Sequence, residues 1–455
     1  MAGSGYLFQR ETFVGGDSRL ARYVARPILN FVNREVASSV LLLLATAAAL
    51  IWANSPWSDS YFDFWHTYID LAIGSYHLHP LTLEHFVNDG LMALFFFVVG
   101  LEIKRELVTG HLANVRAAML PAIAAVGGMV VPALLYFALN PSGDGAAGWA
   151  MPMATDIAFA VGIVSLLGSR VPAMLKLFLL TLAIVDDIGA IAVIAIFYAS
   201  DLDFRWLALA AGLLVLIRAL TVLKVWAVEV YVVIGLVVWF ATLESGVHAT
   251  IAGVALGLLA PAKPLLDRVQ AQDVVDHLPD NPSVEQVHQA SFLVQESVPM
   301  TERLESVLHP FTAFLIVPVF AFANAGVKLS GDTVSDAASS PITWGVILGL
   351  VVGKPVGVTL FTWLATRLGF ELPEGLNWPQ FVGAGFAAGI GFTVSILISG
   401  LAFDDGGVTD LAKIGILVAS VAAAAGALLV LWWAGRGTGD DGIVAPPEHE
   451  IHGGS

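Results

Sequence analysis

Cysteine is absent from the 455 residues, which excludes disulfides, thiolate metal sites and cysteine nucleophiles and leaves the redox compartment unmarked. Charge is scarce too: 13% of the residues are Asp, Glu, Lys or Arg, where a soluble domain carries about 25%. What fills the chain is apolar, with 57% hydrophobic residues and a mean hydropathy of +0.80. Apolar stretches of about 20 residues, long enough to cross a bilayer, recur with only short polar breaks. Together these exclude a soluble enzyme with a single anchor and define one polytopic membrane domain. The net charge of -16 resides in loops and tails, so it says little about partners and offers no basis for a nucleic-acid partner.

Twelve apolar runs predict an all-α protein of about twelve transmembrane helices. They lie near Val36 to Asn54, Phe86 to Leu101, Ala117 to Leu139, Trp149 to Leu167, Leu175 to Ala199 and Trp206 to Ile217. The remainder lie near Val225 to Leu243, Val247 to Ala260, Val307 to Val327, Ile342 to Trp363, Phe381 to Phe403 and Leu411 to Trp433. Short loops rich in Lys and Arg stay cytoplasmic. With the amino terminus inside, seventeen of the 21 Lys and Arg residues fall inside, Arg205, Lys328 and Lys413 fall outside, and Lys354 falls within a span. This imbalance predicts cytoplasmic termini and an even number of spans. The chain divides into a cytoplasmic arm (1–35), a transmembrane domain (36–434) and a disordered cytoplasmic tail (435–455) rich in Gly, Pro and acids. The arm is longer than a signal-peptide n-region, so the first span is read as retained.

Two segments interrupt this pattern. Leu71 to Leu78, on the outside, reads as strand, a Gly74-Ser75 turn and strand, a lone hairpin that needs something to pair with. The cytoplasmic insert 262–305 reads as a solvated linker, with a short amphipathic helix around Val284 to Val294 as the alternative.

An ionisable side chain near the centre of a spanning helix costs about 2.5–3.5 kcal/mol on insertion scales, which makes such residues functional candidates. Four stand out: Asp186 and Asp187 in the fifth span, Asp156 in the fourth and Lys354 in the tenth. Their combined cost requires that they face one another across one polar cavity. Adjacent carboxylates repel each other when both are ionised, and their protonation is coupled. A small hard cation relieves that repulsion, and so do protons. Competition of cation and proton for one site is all that exchange requires, provided the site opens to one side at a time. Pro152 precedes Thr155 and Asp156, and the eleventh span carries Gly383, Gly385, Gly389 and Gly391. Spans interrupted by Gly or Pro in two halves of a chain are the pointer to broken transporter helices. Asp156 is expected to face N-terminal half-helix ends, and Lys354 C-terminal ones.

Several stretches resemble the NhaA family of sodium/proton antiporters. They are NDGLMALFFFVVGLEIKREL, MPMATDIAFAVGIVSLLG, LAIVDDIGAIAVIAIFY, SGVHATIAGVALG, RLESVLHPFTAFLIVPVFAFANAG and FAAGIGFTVSI. The similarity runs from about Ser38 to Trp432. It implies twelve helices in an inverted repeat, with the fourth and eleventh unwound and crossing. It implies electrogenic exchange of cytoplasmic sodium or lithium for external protons by alternating access, regulated by pH, without a cofactor, in a bacterial inner membrane. Asp187 matches the principal cation ligand, and Asp186 its neighbour, paired with the lysine at Lys354. Thr155 and Asp156 match the unwound pair near the ion. Asp89 and His248 match modulatory positions, and Glu102, Arg105, Glu106, Arg303, Glu305 and His309 a pH-sensing funnel. Ser306 stands where a second histidine can occur, the insert after Pro261 is longer, and Ser38 and Ser39 stand near where the first span would carry a glycine pair.

Two other readings compete. An intramembrane aspartyl protease also uses two membrane aspartates, but on facing helices, whereas neighbours on one helix point about 100 degrees apart. A passive cation channel would need a carbonyl-rich filter, and no such repeated segment is visible. The outside hairpin, an edge seeking a partner, predicts a homodimer paired through residues 71–78.

Overall fold

The computed structural model describes residues 35–435, apart from 70–71, 74–75, 78–80, 200–201, 224, 226–227, 265, 280 and 374. The arm up to residue 34, the tail beyond Gly435 and the Gly74-Ser75 turn lie outside the described residues.

Helix α1 (Glu35–Ala53) leads through the short α2 (Ser58–Trp65) and a β-ladder into α3 (Leu83–Val108), and α4 (Val115–Leu139) follows. A 3₁₀ segment, Asp144–Met153, and α5 (Ile157–Ser165) form a unit bent by 45°. Then come α6 (Ala173–Phe197), α7 (Phe204–Val222), α8 (Val228–Glu244) and α9 (Thr250–Leu259). The insert holds α10 (Arg268–Asp276) and α11 (Val284–Gln295). The chain continues through α12 (Met300–Asn324), α13 (Gly331–Ser339) and α14 (Pro341–Arg367). A second bent unit, α15 (Trp378–Ala388) with α16 (Phe392–Ala402), turns by 47° and precedes α17 (Gly406–Ala434). Eight of these helices are long and apolar enough to cross a membrane, or ten spans if each bent pair counts as one. Helices α8 and α9 are apolar but shorter.

Proline and glycine shape the long helices. Pro318 and Pro355 lack the N–H that a regular turn would use, and a wide π-type turn precedes each, at Thr312–Ile316 and Gly349–Gly353. Glycine matters most where α4 meets α14, because a Cβ on either Gly127 or Gly357 would run into the other's carbonyl oxygen. The two backbones therefore touch directly, as small residues permit between membrane helices.

The expected hairpin is present, with β2 (Ala72–Ile73) and β3 (Tyr76–His77) antiparallel in the register Ala72 to His77 and Ile73 to Tyr76. It extends further than the sequence suggests, because β1 (Tyr68–Ile69) pairs with β4 (Leu81–Thr82) at its base. The insert departs from a solvated linker. Helix α11 starts at a reciprocal cap between Ser283 and Gln286, and α10 was not anticipated. The insert is fastened to the start of α12, where Arg303 pairs with Glu296 at 2.9 Å and the Thr301 N–H donates to the Pro261 carbonyl.

Candidate functional site

The two bent units meet at their breaks. Residues 154–156 leave helical geometry, and the Asp156 N–H donates to the Ile390 carbonyl at 2.7 Å in the opposite break. Asp156 caps two helices at once. One oxygen accepts from the Phe159 N–H of its own helix α5 at 3.0 Å. The other accepts from the Thr393 hydroxyl at 2.7 Å and the Thr393 N–H at 3.3 Å, in the first turn of α16. First-turn amides have no partner within their helix and favour a negative charge, so one carboxylate satisfies two N-terminal ends.

The C-terminal ends at the breaks receive donors. The fully buried Lys354 ammonium donates to the Met153 carbonyl, at the end of the 3₁₀ segment, and to the Asp186 carboxylate. The Thr155 hydroxyl lies within hydrogen-bond distance of the Ala388 carbonyl, the last residue of α15, at 2.8 Å, and of the same Asp186 oxygen at 2.5 Å. A hydroxyl has one hydrogen, so these acceptors compete for it unless Asp186 carries a proton and donates to the Thr155 oxygen.

Both acids sit in mid-α6 and are buried, Asp186 fully and Asp187 to 6% exposure. Their partners differ. Asp186 is engaged by Lys354 and Thr155 through one oxygen, while its Oδ1 is buried without a partner. Asp187 receives no donor among the described residues, and its Oδ1 is buried and unpaired. Burying an ionised carboxylate with nothing to balance it is costly, so Asp187 requires a proton or a cation. Its oxygens suit a hard cation. Among the described residues, no three His, Cys, Asp or Glu side chains converge as a metal-binding group.

A second cluster lies at the far end of α3. Arg105 pairs with Glu305 of α12 at 2.5 Å and with Glu106 at 3.3 Å, and Glu106 also accepts from the His111 N–H. Glu102 lies within electrostatic reach of Arg105, Glu106 and Glu305, and of Asp187. Of the other two members of the expected funnel, Arg303 turns to Glu296, and His309 is exposed one turn beyond Glu305, with which it interacts electrostatically. Asp89 and His248 interact near the other end of α3, where His248 bonds the Tyr198 carbonyl at 2.8 Å and the Asp89 carbonyl accepts from Trp239. At the position lacking a glycine, the Ser39 hydroxyl donates to the Ala158 carbonyl at 2.9 Å, tying α1 to the helix Asp156 caps.

Reasoning from the sequence did not single out Thr393, the partner of Asp156, or Ser395, whose hydroxyl donates to the Met151 carbonyl. A hydroxyl residue just after GIG in GIGFTVS, placed to begin a half-helix, was the available signal.

The fold and site define a polytopic membrane protein organised around a buried carboxylate–ammonium cluster where two broken helices meet. Residues 29–431 match the family described as Na+/H+ antiporter 1. Among curated proteins, the chain is 48% identical to the Na(+)/H(+) antiporter NhaA of Rhodopirellula baltica over 419 residues, 90% of this chain and 94% of that protein. It is 47% identical to the Na(+)/H(+) antiporter NhaA 3 of Frankia alni over 411 residues, 90% and 89% of the two. A Myxococcus xanthus relative, Na(+)/H(+) antiporter NhaA 2, is 45% identical over 428 residues, 91% of each. The chain belongs to the Na+/H+ antiporter 1 family.

Proposed function

We propose that this chain is a secondary transporter, not an enzyme, that exchanges sodium or lithium for protons, the ions being its substrates and no cofactor being needed. The observation that carries this reading is the asymmetry of the acid pair. Asp186 is held by an ammonium and a hydroxyl, while the adjacent Asp187 is buried with no donor among the described residues. Asp187 is the principal cation ligand, assisted by Asp186, Thr155 and Asp156, and Lys354 balances the site when the cation leaves. A cation and a proton cannot both occupy the Asp187 oxygens, and alternate opening of the site turns that competition into exchange. The bound helix ends supply the hinge, since α5 and α16 share one cap.

The finer architecture belongs to the same proposal. The two bent units cross near the midplane, and with α8 and α9 the helices make twelve crossings in an inverted repeat. Both termini are cytoplasmic in a bacterial inner membrane. Contacts between connecting segments support this division. Lys328 with Asp59, Asn140 with Pro341 and His248 with Tyr198 join segments assigned outside; Arg105 with Glu305 and Arg303 with Glu296 join segments assigned inside. Two protomers pair through the outside hairpin while each keeps a complete ion site. A variant lacking residues 71–78 that stays dimeric by native mass would refute that pairing.

The test of function is dequenching of a pH-sensitive dye in everted vesicles after adding sodium, lithium or potassium. A response to the first two only is expected; none, or an equal response to potassium, overturns the reading. The protease alternative has no support, since the chain falls in an antiporter family and Asp186 and Asp187 are neighbours on one helix.

A further inference from the structure

A groove of about 650 Å³ runs between α14 and α15, away from the ion site. Val352, Val356, Leu360 and Trp363 line one wall, and Trp378 and Phe386 the other. The floor is closed because the helices touch: a Cβ on Gly385 would stand 2.6 Å from Pro355 Cα. From Val352 to Trp363 the helix rises about 17 Å, close to one leaflet, half of the roughly 30 Å hydrocarbon core.

The two ends of the groove differ in chemistry. The deep end, at Val352, lies near the middle of α14 and holds only apolar side chains. At the other end, where α14 finishes, the Arg367 guanidinium stacks 5.1 Å from the Trp363 ring, and no carboxylate among the described residues pairs with it. Trp and Arg at a helix end mark the headgroup level. Midway, the Thr359 hydroxyl is buried without a hydrogen-bond partner among the described residues.

We propose that this groove is a phospholipid site, with one acyl chain along the α14–α15 cleft and an anionic headgroup phosphate at Arg367. The groove has the length of a leaflet, is apolar apart from the Thr359 hydroxyl and ends at a cation that no carboxylate among the described residues pairs with, which matches one amphiphile in one orientation. An apolar helix from a partner would leave Arg367 without a counter-charge. Phosphatidylglycerol should therefore bind more tightly than phosphatidylethanolamine.

The test is native mass spectrometry of the delipidated full-length protein titrated with each lipid and, separately, with inorganic phosphate. Arg367→Gln should weaken phosphatidylglycerol retention about fivefold, the loss of one cation near a membrane surface. Val356→Trp, which fills the groove from a position 48% exposed, should abolish retention. Leu360→Phe repeats that test with a smaller change if Val356→Trp does not fold. Arg116→Gln, at another exposed helix end, should match the wild type. Equal retention by the wild type and all variants overturns the site. Displacement of the lipid by inorganic phosphate, with Val356→Trp binding as the wild type, overturns the acyl-chain assignment.

Discussion

At the scale of single residues, adjacent acids on one helix have been given different tasks by their partners. Asp186 is anchored to Lys354 and Thr155, so its replacement disturbs a buried ion pair, and removing one member of such a pair costs about 3–5 kcal/mol. Asp187 receives no hydrogen bond among the described residues, so it can be neutralised without leaving a donor there stranded. Asp187→Asn should therefore leave the protein as stable as the wild type while eliminating sodium-dependent proton movement in liposomes. Wild-type exchange by the purified variant would remove Asp187 from the site. Thr393 permits a second comparison. Thr393→Val deletes the hydroxyl that Asp156 accepts and leaves a buried carboxylate short of one partner, a loss of about 1–3 kcal/mol. A lower thermal midpoint and slower exchange are expected, with Thr393→Ser restoring both. A Thr393→Val protein indistinguishable from the wild type would mean that the two backbone amides suffice as partners of Asp156.

At the scale of elements, hydropathy reveals long helices because each is apolar over its whole length, so α1, α4, α6 and α17 could be read directly from composition. The breaks were legible through Pro152 and the glycines at 389 and 391, since these residues weaken helices wherever they occur. That the first half of the fourth span is 3₁₀ rather than α-helical was not legible, nor were the π-type turns, because these depend on how the segment is packed. The four buried charges could be found because charge in a membrane is conspicuous in any order of residues. Thr393 could not, because its partner is 237 residues away and a threonine in a span is ordinary. Helix α10 was hidden for another reason: its polar sequence is that of a loop until α11 gives it a surface. The cluster at the end of α3 bridges two elements, since Arg105 of α3 holds Glu305 of α12, whose Oε2 is buried and unpaired. Glu305→Gln weakens that bridge without touching the acid pair, and it should displace the pH profile of exchange more than it lowers the maximal rate. His309→Ala, at the exposed turn beyond, should do so to a smaller degree. A reduced maximum with an unmoved profile, measured across pH in liposomes, would make the bridge structural and not regulatory.

At the scale of the whole molecule, the question is how much charge crosses the membrane in each cycle. With both acids ionised and the lysine protonated, Asp186, Asp187 and Lys354 together carry one net negative charge. On the proposed reading, a sodium ion binding there displaces a proton from Asp187. A second proton is at hand in the Asp186–Lys354 pair, where the ammonium donates to the carboxylate. The Thr155 hydroxyl faces two acceptors with one hydrogen, an arrangement satisfied when Asp186 itself holds a proton. If both protons leave for each sodium, net charge moves, and a membrane potential drives exchange alongside the pH gradient, each 100 mV contributing about 2.3 kcal/mol per charge. Because the sites are coupled, the second proton belongs to the pair and not to either residue. Replacing both members, as Asp186→Asn with Lys354→Gln, leaves Asp187 alone, and any surviving exchange should move one proton per sodium. Sodium flux in liposomes at a fixed pH gradient, with the potential clamped by potassium and valinomycin, reads this directly. Wild-type flux should rise with the potential, whereas flux through the double variant should not respond. A wild type insensitive to the clamp would make the exchange electroneutral, and a double variant that stays potential-driven would place the second proton outside the Asp186–Lys354 pair.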